Sequence, residues 1–341
     1  MTSKKSTSRT GRSSEGALPP VSRRNKALVP VVIALLVAGS IPLILADEPY
    51  LLLILNLTGI YIIVNSGLDI FYGYAGQISI GQAGFYAVGA YTSALLSLHA
   101  GWPPVLTVLA GALLAAIAGV VIAFPSVKLV HHFLAMVTIG FGEIVRLVLL
   151  NGGHSTGGPD GVIGIPRFSL GPLVFDSNQK YFYVIYFSVA VFLAVKVSLI
   201  HSRFGRAFVA IRENPLASSA FGIHLQNYKV LAFAVGAFYA GFGGALYAHL
   251  ICFVSPETFT LDQSVLFLTM VLLGGAGTFF GPILGTVIVM VLHEFLQRFG
   301  QAQMAVYGLI IICVLFFMPR GLVGKLGEIF ERRRKPRREG A

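Results

Sequence analysis

The chain has 341 residues, of which 55% are hydrophobic and only 11% are charged. Its apolar runs are too many and too long for one soluble core, because runs near 20 residues match the thickness of a bilayer when they form helices. The net charge of +11 argues little for nucleic acid as a partner, since the basic residues lie at both termini and in one loop, where membrane topology alone places them. We therefore expect an all-α polytopic membrane protein.

The chain begins with a basic segment that is rich in Ser, Arg and Lys and shows no periodicity, so we expect a disordered cytoplasmic tail over 1–27. Residues 28–46 form the first predicted membrane span. A cleaved signal peptide is the alternative for this segment. The long basic region before it and the poor cleavage context ILA at 44–46 favour an uncleaved anchor.

Further apolar segments complete a transmembrane domain over 28–319 with about ten predicted spans. These segments lie at 50–68, 77–99, 103–124, 128–150, 180–200, 228–250, 264–275, 283–298 and 303–319. The segment 264–275 is short enough to be half of a re-entrant pair, which would change the count. A second basic cytoplasmic tail follows at 320–341.

The distribution of charge predicts the orientation of these spans. With the N-terminus inside, most of the 25 Lys and Arg residues fall on the inner side, whereas acids such as Asp160, Asp176 and Glu257 fall outside. Because the spans rest on hydropathy alone, this asymmetry is an independent test, and it predicts that both termini are cytoplasmic. The segment 201–227 then faces the cytoplasm, and 151–179 is an external loop.

Polar side chains interrupt the second and third predicted spans. Asn56 and Asn65 lie in the second span, and Gln77, Ser79 and Gln82 lie in the glycine-rich start of the third. A side-chain amide in hydrocarbon needs a hydrogen-bond partner and often faces a wet cavity. These residues therefore either line a translocation path or form hydrogen bonds between helices.

Two opposite charges lie on one face of the fifth predicted span, Glu143 and Arg146. Charged residues are expensive within a bilayer, so a mutual ion pair that faces the interior of the bundle is expected. The pair is either structural or a station for a zwitterionic substrate, whose ammonium and carboxylate match the two charges. The external loop that follows, with NGGHSTGGPDG at 151–161, is dense in turn-forming residues and either meets a soluble partner, caps a pore or is a neutral surface loop.

The cytoplasmic segment SRFGRAFVAIRENPLASSAFGI, residues 202–223, is predicted to form two short helices that meet at a corner. Phe204, Phe208 and Ile211 recur at helical spacing. Asn214 and the proline after it make an N-cap and first-turn pair, and Gly222 suits the end of the second helix. Such an ordered corner suggests docking into another protein, with a membrane-surface helix and a plain connector as the alternatives.

This cytoplasmic segment resembles the loop of branched-chain amino acid ABC importer permeases, specifically the M-type subunits of high-affinity leucine, isoleucine and valine systems. The likeness extends to GYAGQISIGQAGFYAVGAYTSALL at 73–96, TGGPDGV at 156–162 and GGAGTFFGPILG at 274–285. Together these motifs cover the second to the last predicted span in order. Only the two basic tails fall outside the resemblance.

The resemblance implies how the protein works. The cytoplasmic loop would sit in a groove of an ATP-hydrolysing subunit, and five residues match the coupling motif: Arg206, Arg212, Glu213, Asn214 and Gly222. It also implies a bacterial inner-membrane location, a second permease subunit, two ATPase subunits and a periplasmic or surface-tethered substrate-binding protein. The substrates of such permeases include branched-chain amino acids, and related permeases carry urea, short amides or other small substrates.

The chain carries no sequence signature for ATP hydrolysis. A phosphate-binding loop needs GxxxxGK followed by Ser or Thr, but the Gly324–Lys325 pair is followed by Leu326. We therefore expect no cofactor in this chain and ATP use by partner subunits. An ion-coupled secondary transporter is the rival, with Glu143 and Glu294 as coupling acids but no convincing internal repeat. A membrane-embedded hydrolase is disfavoured because neither GxSxG nor HExxH occurs.

Overall fold

The computed structural model describes residues 48–126, 131–171, 173–296, 308 and 321–323. Helices dominate these residues: α1 Pro49–Asp69, α2 Gln82–His99, α3 Pro104–Ser126, α4 His131–Asn151, α5 Asn178–His201, α6 Arg203–Glu213, α7 Pro215–Ala220, α8 Leu225–Ile251, α9 Leu261–Gly274 and α10 Gly281–Leu296. A π-helical turn, Ile70–Tyr74, extends α1, and 3₁₀ turns lie at Gly153–Ser155, Gly158–Asp160 and Pro256–Phe259.

Short strands lie in the long loops between helices. They are β1 Val162–Ile163, β2 Ser169–Leu170, β3 Leu173–Val174 and β4 Phe253–Val254. The strand β1 pairs antiparallel with β4, with Val162 opposite Val254, and β2 pairs antiparallel with β3. The β1–β4 pair ties the predicted external loop to the segment that follows α8.

Five helical segments of the described chain are long and apolar enough to cross a membrane. They are Pro49–Tyr74, Pro104–Pro125, Phe133–Asn151, Asn178–His201 and Leu225–Ile251, and the shorter apolar helices are Leu261–Gly274 and Gly281–Leu296. The prediction of an all-α membrane protein is therefore confirmed at this coarser level. The predicted spans 28–46 and 303–319 lie outside the described residues, apart from residue 308, as do the tail 1–27 and nearly all of 320–341.

The third predicted span does not begin where hydropathy places it. Hydropathy predicts a start at residue 77, but residues 76–81 are not helical and α2 starts at Gln82. Gly76 has a φ of +68°, a left-handed conformation that glycine adopts at little cost, and the preceding helix ends there. The Ile80 amide donates to Thr138 Oγ1 at 3.1 Å, so a helical neighbour satisfies part of this non-helical backbone.

The centre of the bundle is held together by small residues on α2, α3 and α8. The backbones of Gly89 and Gly241 approach so closely that a Cβ on Gly89 would collide with Gly241. Gly111 packs on Gly89, and the Ala115 side chain packs on Gly241. Close approach of this kind is the usual way membrane helices associate, because it gains dispersion contacts that lipid cannot offer.

Two ends of the bundle are identified by contacts between distant helices. At the end that carries the long loops, which we call the loop end, Asn178 Nδ2 donates to Pro49 O at 3.3 Å, and Tyr50 Oη donates to Glu294 Oε1 at 3.0 Å. At the end next to residues 202–223, which we call the corner end, Gly73 and Gly277 lie in direct backbone contact. Thus α1, α5 and α10 all begin or end at the loop end, and residues 202–223 lie at the opposite, corner end.

Candidate coupling site and translocation path

The segment 202–223 forms two short helices, as the sequence predicts. Ser202 Oγ accepts from the Phe204 amide at 3.1 Å and caps the start of α6. Asn214 Oδ1 accepts from the Ala217 amide at 3.0 Å and caps α7. Gly222 follows α7 with a φ of +80°, which glycine tolerates best. We call residues 202–223 the α6–α7 corner.

The α6–α7 corner buries one apolar face and exposes another. Phe208 and Ile211 are buried, and the Phe208 ring meets Tyr228 of α8 edge-on, with centroids 6.4 Å apart. In contrast, Leu216 and Phe221 are 82% and 87% exposed. Two large apolar side chains that stand out from a structured corner form a surface suited to a protein partner.

The motif-matched charged residues of the corner point in different directions. Arg206 is exposed and donates to His201 O at 3.2 Å, next to its own helix. Arg212 is also 42% exposed, but its Nη1 reaches the bundle and donates to Gly73 O. Glu213 is exposed and lies 3.6 Å from the Arg212 guanidinium. The geometry therefore separates Arg212, which binds the permease body, from the outward-facing charges.

A buried ion pair lies directly behind Arg212. Lys196 Nζ of α5 lies 2.8 Å from Asp69 Oδ2 of α1, and both side chains are 0% exposed. The other oxygen, Asp69 Oδ1, accepts from the Gly277 amide at 2.6 Å in the α9–α10 connection. A side chain at Gly277 would collide with the Arg212 guanidinium. Four elements, α1, α5, α6 and the α9–α10 connection, therefore meet at one cluster of charges.

Sequence reasoning missed this cluster. Neither Asp69 nor Lys196 is among the residues singled out from the sequence. The available signal was the pairing of one acid and one base at the same predicted end of two apolar segments, since buried charges in membranes almost always pair. The link to Gly277, 208 residues away from Asp69, has no local signal.

The five polar residues predicted for the path are all buried, and they are spread over α1, the non-helical stretch 76–81 and the start of α2. Asn56 Nδ2 donates to Asn178 O at 3.0 Å, and Asn65 Nδ2 donates to Thr286 Oγ1 at 2.7 Å. These hydrogen bonds join helices, which is the role that the sequence offered as the alternative to lining a path.

The three polar residues nearest the helix interruption are also held by the protein. Gln77 Nε2 donates to Lys229 O at 3.1 Å, and Gln82 Nε2 donates to Val64 O at 3.4 Å. Ser79 Oγ accepts from the Gly81 amide at 3.3 Å. The side-chain carbonyl oxygens of four of the polar residues accept no hydrogen bond in the described structure; they belong to Asn56, Asn65, Gln77 and Gln82.

An open groove of about 600 Å³ lies between α3, α5 and α8. Its walls are apolar side chains such as Leu109, Phe187 and Phe238, and none of the predicted path residues lines it. An apolar groove on the outside of long apolar helices suits lipid rather than a polar solute.

Glu143 and Arg146 form the expected ion pair on α4, with Arg146 Nη2 2.6 Å from Glu143 Oε1. The described helices do not enclose the pair: the Glu143 side chain is 44% exposed and that of Arg146 is 25% exposed. Among the described helices, the expectation that the pair faces the interior of the bundle is therefore wrong, because α4 packs on α2 through Gly142 and Phe141 and turns Glu143 away.

A second polar cluster, also missed from the sequence, joins the external loop to the bundle. His249 Nδ1 of α8 lies 2.7 Å from Pro166 O in the loop, and His249 Nε2 lies 2.8 Å from Ser93 Oγ and 3.3 Å from Thr107 Oγ1. The loop is therefore anchored through a buried side chain and is more than a loose connection.

The start of α5 carries an exposed ion pair at the edge of the same loop. Lys180 Nζ donates to Asp176 Oδ1 at 2.8 Å, and this hydrogen bond lowers the pKa of the Asp176 carboxyl. Both side chains are largely exposed, so the pair contributes little to stability.

Comparison with known proteins identifies close sequence similarity to transport proteins. The family described as "Branched-chain amino acid transport system / permease component" matches residues 50–315. The chain is 36% identical over 293 residues to the high-affinity branched-chain amino acid transport system permease protein LivM of Escherichia coli strain K12, an alignment that spans 79% of this chain and 69% of that protein. LivM of Salmonella typhimurium is similar to the same extent.

A more distant similarity connects the chain to a second permease protein. The high-affinity branched-chain amino acid transport system permease protein LivH of Escherichia coli strain K12 is 24% identical over 283 residues, which span 78% of this chain and 91% of that protein. No solved structure matches the chain at a significant level.

Proposed function

The chain belongs to the branched-chain amino acid transport system permease family, and we propose that it is the M-type permease subunit of an ATP-driven importer that carries branched-chain amino acids across a bacterial inner membrane. As a permease component it is a transport subunit and not an enzyme. ATP is then used by partner subunits, and this chain needs no cofactor. The rival permease for urea or short amides and the ion-coupled transporter are less consistent with these similarities.

The proposed assembly contains a second permease subunit, two ATPase subunits and a substrate-binding protein. The similarity of this chain to both LivM and LivH of one organism supports a pair of related permease subunits. We further propose about ten spans over 28–319, with the tails 1–27 and 320–341 and the segment 201–227 in the cytoplasm. The inward bias of Lys and Arg supports this topology.

The observation that carries the proposed coupling mechanism is the exposed apolar surface of the α6–α7 corner. Leu216 and Phe221 have no covering partner in the described chain, whereas the opposite face of the corner is packed on the bundle. A cleft in an ATPase subunit would cover both side chains, and burial of each would contribute about 1.5–3 kcal/mol. Asn214 and Gly222 act in this scheme as the cap and the terminator that hold the surface in shape.

Movement of the docked corner would pass into the membrane through Arg212. Its guanidinium contacts Gly73 beside the helix interruption and lies next to Gly277 in the α9–α10 connection. The buried Asp69–Lys196 pair fixes these same elements to α5. A ligand shifts a conformational equilibrium only through contacts that differ between the states, and Arg212 provides such a contact between the corner and the spans.

We retain the five buried polar residues as candidates for the path: Asn56, Asn65, Gln77, Ser79 and Gln82. The unpaired carbonyl oxygens of the four amides are the groups that water or substrate would reach if α1, α2 and α10 separate during transport. In the present conformation these side chains hold helices together.

The docking role is tested in proteoliposomes that contain the complete transporter with its binding protein. The double variant Leu216→Ser and Phe221→Ser is expected to reach the membrane normally but to lose ATP hydrolysis stimulated by leucine-loaded binding protein. Val209→Ser is the matched control, since Val209 lies in the same corner, on α6, but is much less exposed. Unchanged stimulation in the double variant would reject docking, and gradient-driven uptake without any ATPase would favour the ion-coupled rival.

A further inference from the structure

One face of α4 combines charge with open space. Glu143 and Arg146 lie eight and five residues before the last residue of α4, roughly 12 and 8 Å of helix rise from its loop end. Gly140, one turn before Glu143, has nothing within 4 Å of the position a Cβ would take. Met136 and Leu147 on the same stripe are exposed. We call the stripe Met136, Gly140, Glu143 and Leu147, together with Arg146, the open face of α4.

The two charged side chains bind each other but keep groups free for a ligand. Arg146 Nε lies 3.1 Å from both carboxylate oxygens of Glu143, and Arg146 Nη2 lies 2.6 Å from Oε1. Arg146 Nη1 makes no hydrogen bond within the described chain. A guanidinium has five N–H donors and a carboxylate accepts about four hydrogen bonds, so each partner has unused capacity on its outer edge.

Lipid is a poor occupant for this face. Two charges that face hydrocarbon carry a large penalty, and intramembrane charges generally face a bundle interior or a water-filled cavity. The Arg146 side chain also folds back toward Glu143, away from the loop end where a snorkelling arginine would place its guanidinium. The face therefore requires an occupant that is polar at the ion pair and apolar beside it.

We propose that the open face of α4 binds the zwitterionic head group of the transported amino acid. Glu143 accepts hydrogen bonds from the α-ammonium, and Arg146 donates to the α-carboxylate through Nη1 and the outer edge of Nη2. The aliphatic side chain of the substrate lies over Gly140, between Met136 and Leu147. The inference rests on the proposed function and adds to it a substrate-contact site on a surface that the described helices of this chain leave uncovered.

The position of the face suits early contact with substrate. The 3₁₀ turn Pro256–Phe259 lies at the loop end and packs on α4, and it carries the exposed acid Glu257. Together with the Glu143–Arg146 pair, Glu257 gives this end of α4 one more acid than base. An incoming ammonium group is therefore attracted before the carboxylate reaches the guanidinium.

The first test measures occupancy directly and does not depend on transport. In the complete reconstituted transporter, with Cys252 and Cys313 replaced by Ser, the variant Gly140→Cys is labelled with a water-soluble maleimide in the presence of leucine-loaded binding protein. We expect leucine to slow labelling about tenfold, the effect of a charge-assisted contact. The methyl ester of leucine, which lacks the carboxylate, and 4-methylpentanoate, which lacks the ammonium, are expected to give no protection when added at high concentration.

The second test separates recognition from a structural role. The double variant Glu143→Gln and Arg146→Gln keeps polar side chains in place and removes both charges. It is expected to lower leucine uptake per ATP hydrolysed about 10- to 100-fold, because both charge-assisted contacts weaken. Asp176→Asn with Lys180→Gln is the matched control, since that exposed ion pair is removed without touching α4.

The outcomes distinguish this inference from the proposed function. If stimulated ATP hydrolysis is normal but leucine leaves labelling of the Gly140→Cys variant unchanged, the substrate site is wrong and the importer assignment stands. If the introduced thiol is inaccessible with and without leucine and crosslinks to the second permease subunit, the ion pair is an interface contact and the inference is also wrong. If the unaltered complex shows no response to leucine-loaded binding protein, the proposed function fails and the substrate site fails with it.

Discussion

The residues that most constrain the corner end are Asp69 and Lys196. Their ion pair is fully buried, and one carboxylate oxygen also accepts from the Gly277 amide. The net contribution of such a pair to stability is small, because desolvation of both charges offsets most of their attraction. Loss of one partner is far more damaging than loss of both, since it leaves an uncompensated buried charge.

Asp69→Asn is therefore expected to destabilise the protein by roughly 3–5 kcal/mol, because Lys196 stays buried without its counter-ion. The double variant Asp69→Asn with Lys196→Met should recover most of that loss, since the introduced amide can still accept from Gly277 and the ammonium is gone. Thermal stability of the detergent-solubilised complex measures both effects. A double variant as unstable as the single one would contradict a charge-based explanation and point to packing at position 69.

At the scale of elements, one guanidinium adds a polar contact with the helix interruption to the apolar packing of α6 on α8. Arg212 reaches Gly73 and packs on Gly76, which has no Cβ to obstruct it. Arg206, in the same helix, instead donates to His201 O at the end of α5. The two arginines therefore allow transmission of movement to be tested separately from docking to the ATPase.

Arg212→Ala is expected to leave stimulated ATP hydrolysis largely intact but to lower leucine uptake per ATP by about tenfold, because the charge-assisted bond to Gly73 O is lost. Arg212→Lys should recover part of the coupling, since a lysine restores the charge but not the planar fork. Arg206→Ala is the contrasting variant: as an outward-facing residue of the coupling motif it should lower stimulated ATP hydrolysis but leave leucine uptake per ATP unchanged. Equal uptake per ATP in the Arg212→Ala and Arg206→Ala variants would contradict the transmission role.

At the scale of the whole molecule, the bundle has a loop end and a corner end, and the two are expected to lie on opposite sides of the membrane. The β1–β4 pair and His249 hold the external loop at one end, while residues 202–223 project from the other. The inward bias of Lys and Arg in the sequence favours a cytoplasmic position for the corner end.

Accessibility of single cysteines in intact cells checks this orientation. With Cys252 and Cys313 replaced by Ser, Asp176→Cys should react with a membrane-impermeant maleimide from outside. Ser13→Cys, Ser219→Cys and Gly340→Cys should react only after the inner membrane is permeabilised. Reaction of Ser13→Cys from outside while Ser219→Cys is protected would show an odd number of spans between them and contradict the proposed count.

Sequence patterns anticipated much of the fold for physical reasons that act over short distances. Apolar runs predicted eight of the described helices, seven of them to within a few residues at each end. The eighth, α2, starts five residues late because the glycine-rich stretch before Gln82 is not helical. The corner followed from capping chemistry at Asn214 and a left-handed Gly222. Each of these signals involves residues only a few positions apart, so they can be recognised without knowledge of the tertiary fold.

The amino-acid sequence alone determined that the protein crosses a membrane with many helices, where those helices lie and that a capped corner interrupts them. Only the tertiary structure decided that Arg212 contacts Gly73 in the bundle, that Asp69 pairs with Lys196 and that Glu143 faces away from the described bundle. The physical reason is that helix formation and capping depend on neighbouring residues. The contacts of Arg212 and Asp69 instead join residues 127 or more positions apart, and the direction of Glu143 depends on which face of α4 a neighbouring helix covers.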